Sequence, residues 1–172
     1  MKRSDTDIFL RPTQEAEIDA VLGMEQNPVN TSFIRQWSRD QHLSALADDH
    51  YGHFIVEEDQ GEMMGYVILT GLDDPDKSIE FKRIVIHEKG RGLGRKAVLL
   101  VKAKVFEEFN AHRLWLEVMP TNQRAHALYE SMGFVKEGIH REALKMGKTY
   151  LSLIVMSILS HEYFNLLKKQ TS

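Results

Sequence analysis

The sequence predicts an α/β fold in which a mixed, mostly antiparallel central sheet carries helices on both faces. Two observations lead to this fold class. Three strand-like segments between residues 51 and 87 follow one another without a helix, and strands joined by short turns pair antiparallel. A strand, a glycine-rich turn and a long helix come next, after which strand and helix alternate. The expected order is strand, two helices, three strands, helix, strand, helix, two strands and a final helix.

The composition is that of a globular protein and excludes several functional classes. Hydrophobic residues make up 42% and charged residues 27% of the 172 residues, so we expect a single domain over residues 1–172. The net charge of −3 gives no support for a nucleic-acid partner. The absence of cysteine excludes disulfides, thiolate metal sites and a cysteine nucleophile. Without a signal core or a membrane-length apolar run, we expect a cytoplasmic protein with no membrane partner.

The N-terminal part is expected to form one strand and two helices. The strand covers residues 8–11, and Thr13 is the expected N-cap of the first helix. The second helix should open at Asn30 or Thr31 and contain Trp37. We interpret Trp37 as a packing residue, with a wall of the substrate site as the alternative.

Turn signals and apolar periodicity define the remaining elements. The helix after the glycine turn has apolar residues at four-residue spacing, so one side of it should pack on the sheet. The predicted strands lie at 51–58, 63–72, 78–87, 113–118, from 134 onward and at 150–159, and the predicted helices at 93–109, 121–132 and 160–169.

The eight histidines show no metal-binding pattern. His42 is placed on a helix, and His50 and His53 lie three residues apart at a strand edge. We expect each of them at the surface and predict no metal site.

The stretch 87–97 is typical of an anion site at the start of a helix. Its glycines permit positive φ and close approach of a ligand, and a helix start offers N–H groups and partial positive charge. Lys89, Arg91, Arg95 and Lys96 surround this start, where basic residues oppose the helix dipole. The pattern favours an anionic ligand, with an ordinary turn and solvated charges as the alternative.

Two other glycine motifs fit this stretch less well. Gly92-x-Gly94-x-x-Ala97, with Glu117 further along the chain, matches the fingerprint of dinucleotide-binding domains. Those domains place the turn after their first strand and continue with several βα units, whereas one such unit remains here. The phosphate loop of nucleotide hydrolases ends in Gly-Lys-Ser or Gly-Lys-Thr, which this turn lacks.

A second motif identifies the family that the chain resembles. Residues 122–134 resemble the Asn-x-x-Ala-x-x-Leu-Tyr-x-x-x-Gly-Phe signature of the GNAT superfamily of N-acetyltransferases. Lys89-x-x-Gly92-x-Gly94 resembles the pyrophosphate loop of that superfamily, with lysine where glutamine or arginine is usual. The two motifs occur in the family's order, and the resemblance covers nearly the whole chain. Residues 115–118, followed by Asn122 and Tyr129, are further similar to the branch that acetylates ribosomal-protein N-termini. Residues 134–138, with Arg141, resemble the broader group of ribosomal-protein and polyamine acetyltransferases.

The resemblance implies transfer of the acetyl group of acetyl-CoA, the cosubstrate, to a primary amine. The amine would belong to a protein N-terminus, a polyamine or another small molecule, and would attack directly in a ternary complex. A non-catalytic acyl-CoA-binding or sensing domain on the same fold is the first alternative. A nicotinamide-dependent oxidoreductase is the second. Whether the chain is a monomer or a homodimer stays open.

The resemblance also assigns roles to three residues that bear on proton transfer. Tyr129 is expected to be the general acid that protonates the departing CoA sulfur. Glu117 is the first candidate for the base that deprotonates the amine, and strand alternation could turn it toward a cleft. Glu80 is the alternative base, and a water relay could serve either carboxylate.

The remaining expected contacts, implied by the same resemblance, concern the body of CoA. The backbone of Ile84, Val85 and Ile86 should bond the pantetheine arm, and a backbone N–H there should polarise the acetyl carbonyl. Asn122 should bond the pantetheine, and Ala125 should leave room for it. The expected pyrophosphate-binding residues are Lys89, Gly90, Arg91, Gly92, Leu93, Gly94 and Arg95.

Overall fold

The computed structural model describes residues 7–88 and 90–170, which form a seven-stranded sheet with helices on both faces. The predicted α/β fold class is thereby confirmed. The strands are β1 (Ile8–Pro12), β2 (Tyr51–Glu58), β3 (Met63–Thr70), β4 (Ser78–Ile86), β5 (Arg113–Val118), β6 (Val135–Met146) and β7 (Thr149–Leu159). Their order in the sheet is β1-β2-β3-β4-β5-β7-β6. The expected single domain over residues 1–172 stays a prediction.

Six helices connect or follow these strands within the described residues. They are α1 (Ile18–Gln26), α2 (Pro28–Thr31), α3 (Arg39–Leu46), α4 (Leu93–Ala103), α5 (Gln123–Ser131) and α6 (Ser160–Gln170). A 3₁₀ turn at Glu15–Glu17 precedes α1, and a π-helical turn at Lys104–Glu108 extends α4. Within this described part of the chain, no helix is long and apolar enough to cross a membrane. The cytoplasmic location stays a prediction.

The two faces of the sheet carry different helices. On one face, α4 packs its apolar stripe on the sheet through residues such as Leu93, Ala97 and Val101, and Tyr163 of α6 belongs to the same core. On the other face, Val21 of α1 packs against β2, β3 and β4, and α3 lies against β2. The first face therefore supports the glycine turn, whereas the second supports the segment between α2 and α3.

The predicted N-terminal helices were wrong in two respects. Thr13 does not cap a helix, because its hydroxyl hydrogen-bonds to His53 Nδ1 at 2.8 Å inside the protein. The expected second helix is two helices, since Ser38 forms a capping box with Gln41 and starts α3 anew. Trp37 consequently lies in the connection between α2 and α3.

The sheet opens between β4 and β5, and this opening positions the site. The two strands run parallel and pair only over Ser78–Glu80 and Arg113–Trp115, whereas the other strand pairs described are antiparallel. Beyond Glu80 the strands separate. A β-bulge also shifts the register of β4 against β3 and leaves Lys82 without a ladder partner. Parallel strands that separate at their carboxyl ends create a crevice in which a ligand can lie.

Candidate active site

A cavity of about 1380 Å³ occupies the gap between β4 and β5. It reaches from the glycine turn, across both strands, to the segment between α2 and α3. It collects twelve of the residues predicted for the site, namely Glu80, Ile84, Ile86, Gly90, Gly92, Leu93, Gly94, Arg95, Glu117, Asn122, Ala125 and Tyr129. Val85 and Arg91 do not line it, and Lys89 lies outside the described residues.

The glycine turn has the backbone geometry of a ligand cradle. Gly90 and Gly92 have φ of 87° and 73°, in the left-handed region that favours glycine. A Cβ built on either residue would meet no heavy atom within 4 Å, so the space beside the backbone is open. Gly92 is the N-cap of α4, and its carbonyl accepts a hydrogen bond from the Lys96 N–H. The start of α4 thus faces open space, as an anion-binding helix start requires.

Gly94 contributes in a different way from the other two glycines. It lies inside α4 and has no positive φ, so its backbone conformation is open to any residue. A Cβ at this position would come no closer than 3.9 Å to Leu128. The reason for glycine here is therefore the space that a side chain would take from the cavity.

The basic side chains around the turn divide into two groups. Arg91 bonds to Glu88 at 2.6 Å and lies 3.6 Å from Glu58, and it does not line the cavity. Arg95 lines the cavity and donates from Nη1 to Ser131 Oγ at 3.0 Å. Arg124, which the sequence reasoning missed, also lines it. Arg95 and Arg124 are thus the described arginines at this end of the cavity that are placed to meet phosphate oxygens.

The wall formed by β4 is apolar on the cavity side. The side chains of Ile84 and Ile86 line the cavity, whereas the Val85 side chain is buried on the other face with Val21 and Tyr66. This follows from the alternation of side chains along a strand. The expected contacts of the Ile84, Val85 and Ile86 backbone with the pantetheine arm stay a prediction.

Helix α5 presents Tyr129 to the cavity. Asn122 Oδ1 accepts the Ala125 N–H at 3.2 Å and so caps the start of this helix. The Tyr129 ring is buried and meets Phe81 and Phe134 edge-on, with ring centroids 6.1 and 5.6 Å away. Burial raises the pKa of the Tyr129 phenol above its ordinary value. The phenol, which is neutral at physiological pH even at its ordinary pKa, keeps its proton here.

Glu117 faces the cavity on the wall formed by β5. Leu116 and Val118 are buried in the core, and Glu117 lies on the opposite side of the strand. Its Oε1 is 2.5 Å from His140 Nδ1 on β6. Sequence reasoning missed His140, because its contact depends on the bulged pairing of β6 with β7. Glu117 thus has an exposed imidazole partner that can pass a proton to solvent.

Glu80 shares this part of the cavity with Glu117. It lies opposite Trp115, at the last position where β4 pairs with β5. Its carboxylate is 3.6 Å from Lys82 Nζ. Burial raises the pKa of the Glu80 carboxyl; the Lys82 ammonium opposes the rise, and the negative charge of Glu117 adds to it. The two carboxylates therefore influence each other, and both can serve a nearby amine.

The far end of the cavity is formed by residues that the sequence motifs do not identify. Phe33, Ile34, Arg35 and Trp37 line it from the α2–α3 connection, and Arg83 lines it from β4. Trp37 packs against the core around Val21 and Tyr66, as predicted, and also faces the cavity. Segments without a motif that face a cavity are where acceptor specificity is expected.

The prediction of surface histidines was wrong for His42 and His53. Their exposed fractions are 0% and 5%, and they hydrogen-bond to each other at 3.0 Å between His42 Nδ1 and His53 Nε2. Imidazoles can be buried when both ring nitrogens find partners, and their spacing gave no sign of those partners. His50 is partly exposed and bonds to Asp73 at 2.5 Å. Across the described ranges, no three His, Asp or Glu side chains could together hold a metal ion.

Comparison with known proteins places this geometry in a family. A model of the acetyltransferase (GNAT) family matches residues 18–134. Spermidine N(1)-acetyltransferase of Escherichia coli is 30% identical over 167 residues, which cover 91% of this chain and 88% of that protein. A ribosomal-protein alanine N-acetyltransferase of Salmonella typhimurium is 29% identical over 134 residues, or 74% of this chain and 77% of that protein.

The solved structures agree in fold. A crystal structure of spermidine N-acetyltransferase from Vibrio cholerae in complex with CoA and spermine superposes with a TM-score of 0.81. It is 27% identical in sequence, and the match covers 92% of this chain and 98% of that one. The same arrangement of sheet and helices is thus present in an enzyme that binds CoA.

Proposed function

The chain belongs to the acetyltransferase (GNAT) family and uses acetyl-CoA to acetylate a primary amine, and we propose that this amine belongs to a polyamine. The observation that carries the proposal is the pair of carboxylates, Glu80 and Glu117, on the walls of the cavity where β4 and β5 separate. A polyamine carries several positive charges on a flexible apolar chain. Carboxylates in a cleft attract such a cation and raise its local concentration.

The relatives support the same class of acceptor. The Escherichia coli relative is named as a spermidine acetyltransferase, and the Vibrio cholerae structure contains spermine together with CoA. The peptide N-terminus remains the competing acceptor, because the relative from Salmonella typhimurium acts on a ribosomal-protein alanine. The two acceptors differ in charge, so they can be separated experimentally.

The described residues can hold acetyl-CoA, which supplies an acetyl group on a good leaving group. The open backbone at Gly90 and Gly92, with Arg95 and the start of α4, suits the pyrophosphate. Ile84, Ile86 and Ala125 line the apolar part of the cavity, which suits the pantetheine arm. Asn122 Nδ2 makes no hydrogen bond to a described residue, and we propose that it donates to the pantetheine.

Proton transfer is assigned to Glu117 and Tyr129. A protonated amine has no lone pair, so a base, which we propose to be Glu117, must first accept its proton, directly or through one water. The amine nitrogen then bonds to the acetyl carbonyl carbon, and the carbon–sulfur bond of the thioester breaks. The Tyr129 phenol gives its proton to the departing sulfur, and the resulting tyrosinate takes the second proton that the acylated nitrogen must lose. Glu117 can return its proton to solvent through His140. Glu80 is the alternative base.

Self-association is part of the proposal. A solved spermidine N-acetyltransferase from Vibrio cholerae is dodecameric, and it is 25% identical with a TM-score of 0.79. In this chain β6 is an edge strand, and Val135 and Ile139 on it are 55% and 52% exposed. Exposed apolar side chains on an unpaired edge favour contact with another chain. We therefore propose an oligomer of at least two copies, which light scattering of the purified protein tests.

An acceptor panel tests the proposed substrate. The panel contains spermidine, spermine, a peptide with an N-terminal alanine, and a monoamine as long as spermidine. Released CoA gives the rate, and mass spectrometry of the product gives the acetylated amine. We expect kcat/KM for the polyamines to exceed that of the monoamine and the peptide by about tenfold or more.

Two results would contradict the polyamine proposal. A higher kcat/KM for the peptide would assign the chain to N-terminal acetylation. Equal values for spermidine and the monoamine would mean that the second positive charge is not recognised. Binding of acetyl-CoA without transfer to any amine would instead support the sensing alternative.

A further inference from the structure

Residues 32–38, which we call the acceptor segment, connect α2 to α3 and close the far end of the cavity. Phe33, Ile34, Arg35 and Trp37 line the cavity from this segment. The segment belongs to no helix or strand, so no backbone ladder holds it in place. Its position depends on the side chains of other elements.

One buried carboxylate on α1 holds the end of the acceptor segment. Glu25 is 1% exposed, and its Oε2 accepts the backbone N–H of Trp37 at 3.0 Å. Its Oε1 accepts from the Tyr66 hydroxyl at 2.5 Å and also from Arg83 Nη1. His42 Nε2 lies 3.1 Å from the same oxygen. These donors lower the pKa of the Glu25 carboxyl to about 2 against the effect of its burial, so it is a carboxylate anion at neutral pH.

Arg83 holds the middle of the acceptor segment from β4. One guanidinium nitrogen, Nη1, bonds to Glu25, and the other, Nη2, donates to the backbone carbonyl of Arg35. The guanidinium carbon also lies 5.0 Å from the centre of the Trp37 ring. The planar fork of arginine can make these contacts at once, whereas a lysine ammonium cannot reproduce them.

A chain of buried groups supports Glu25 from behind. His42 bonds to His53 at 3.0 Å, and His53 bonds to the Thr13 hydroxyl at 2.8 Å. No hydrogen bond of Thr13 reaches the acceptor segment among the described contacts. Thr13 therefore offers a place to weaken the network without touching the cavity wall.

Stability alone does not account for this buried pair. Replacing a buried ion pair by apolar residues is often neutral or stabilising, because removing two charges from water is costly. Apolar residues at the same two positions could therefore give a core of equal or greater stability. The Glu25–Arg83 pair instead makes two backbone hydrogen bonds to an irregular segment that faces the cavity.

We propose that Glu25 and Arg83 are positioning residues that fix the acceptor segment and thereby the binding of the amine. This inference rests on the proposed function, because it takes the far end of the cavity as the acceptor site. Neither residue is assigned a part in the proton transfer. Their effect is on how the wall at Phe33, Arg35 and Trp37 meets the acceptor.

The variant Arg83→Lys tests the proposal. It keeps a positive charge beside Glu25 and loses the bridge in which one guanidinium nitrogen bonds to Glu25 and the other to the Arg35 carbonyl. We expect KM for the preferred amine to rise by about tenfold or more, since a small misplacement of a binding wall is costly. The dissociation constant of acetyl-CoA should change by less than about twofold, because the glycine turn lies at the other end of the cavity.

Thr13→Val is the matched control. It breaks the same buried network at the end that does not touch the acceptor segment, so it should lower the melting temperature and leave KM for the amine unchanged. An unchanged KM for the amine in folded Arg83→Lys would overturn the proposal. An equal loss of acetyl-CoA and amine binding would also overturn it, since that pattern indicates general loosening.

A second variant covers the case in which Arg83→Lys does not fold. The double variant Glu25→Gln with Arg83→Met leaves no unpaired buried charge at the pair, and the same two constants are measured on it. The preferred amine is the one that the parent enzyme turns over best in the acceptor panel. Failure of the polyamine proposal would appear in the parent enzyme, whereas failure of the positioning proposal would appear in these variants, as an unchanged KM for the amine or as an equal loss of amine and acetyl-CoA binding.

Discussion

Tyr129 places its phenol in the cavity among apolar side chains. Phe81 and Phe134 contact its ring edge-on, and burial raises the pKa of the phenol. A group that keeps its proton at physiological pH can deliver it to a departing thiolate. The role of the residue in the reaction remains a prediction that a single atom change can test.

Replacing Tyr129 by phenylalanine should remove the proton donor and keep the packing. We expect kcat to fall by ~10²–10⁴, the usual contribution of a positioned acid, with the dissociation constant of acetyl-CoA unchanged. Steady-state kinetics and calorimetric binding measure the two quantities. A kcat close to that of the parent would remove Tyr129 from the mechanism.

Glu117→Gln and Glu80→Gln should distinguish the two candidate bases. We expect Glu117→Gln to lower kcat/KM by ~10² or more near neutral pH, with partial recovery at high pH where more amine is neutral. Glu80→Gln should have a smaller effect. The reverse order would make Glu80 the base.

The pH dependence of kcat/KM in the parent enzyme tests independently whether Glu117 or Glu80 is the base. Because burial raises the pKa of Glu80, a Glu80 base would lose its proton-accepting form at a higher pH than an ordinary glutamate. The acidic limb of kcat/KM would then shift upward, and Glu80→Gln would abolish it. A limb that survives Glu80→Gln and disappears in Glu117→Gln supports Glu117.

Residues that belong to local motifs could be found from the sequence, and residues held by distant partners could not. The glycine turn and the signature at 122–134 each lie in one continuous stretch, and their residues meet in one cavity. Glu25, Arg83 and His140 become informative only through contacts across 58 and 23 positions of the chain. Nothing in the local pattern around them indicates those contacts.

At the scale of elements, the glycine turn joins β4 to α4 in a backbone conformation that residues other than glycine adopt only with strain. Gly90 and Gly92 have positive φ, and both face open space. The open space beside these two glycines leaves room for a ligand at the start of α4. Gly94 differs from these two glycines. It has no positive φ, and its lack of a side chain leaves space in the cavity.

Gly92→Val should weaken acetyl-CoA binding strongly, because a Cβ both strains the turn and enters the expected phosphate site. Gly147→Val is the matched control, since Gly147 also has a positive φ, of 60°, and faces open space in the β6–β7 turn. We expect both variants to lose stability and only Gly92→Val to lose affinity in a calorimetric titration. Equal affinities in the two folded variants would contradict the assignment of the turn.

The strands were predicted more accurately than the N-terminal helices, for a physical reason. The bounds of β2 and β5 are those expected, because polar turns flank apolar strands on both sides. Phe33, Ile34 and Trp37 looked like the apolar face of a helix. They line a cavity instead, and an apolar wall gives the same local pattern as an apolar helix face.

At the scale of the whole molecule, a buried polar network joins α1, α3 and the sheet. Its acid–base state is tied to folding, because burial, together with the nearby charges of His42 and Arg83, lowers the pKa of His53 to about 4, although the charge of Glu25 opposes this. An unfolded histidine takes up a proton near its ordinary pKa of 6.5. As pH falls from 6.5 toward 4, the unfolded state therefore binds more protons and gains stability relative to the folded state.

The free energy of unfolding should consequently decrease as the pH falls from 7 to 5. The contribution of His53 to this loss is about 2 kcal/mol, from one proton taken up mainly by the unfolded chain. His53→Gln cannot take up that proton, so its stability should depend less on pH over the same range. Urea unfolding of both proteins at the two pH values measures the difference, and parallel pH dependences would contradict the account.

The antiparallel part of the sheet could be predicted from the order of elements, whereas the shape of the cavity could not. Three strands without helices between them predicted that part, but nothing predicted that β7 would lie between β5 and β6. The length over which β4 and β5 pair, and the bulge at Lys82, depend on packing from both faces. Those two features open the gap in which the predicted residues meet.

The central claim is that the amine attacks acetyl-CoA directly while both are bound in this gap. Initial rates measured at several fixed concentrations of acetyl-CoA, with spermidine varied, test it most directly. Direct attack predicts double-reciprocal lines that intersect, and mass spectrometry of enzyme mixed with acetyl-CoA alone should show no acetylated protein. Parallel lines, together with an acetylated enzyme that passes its acetyl group to spermidine, would contradict the account.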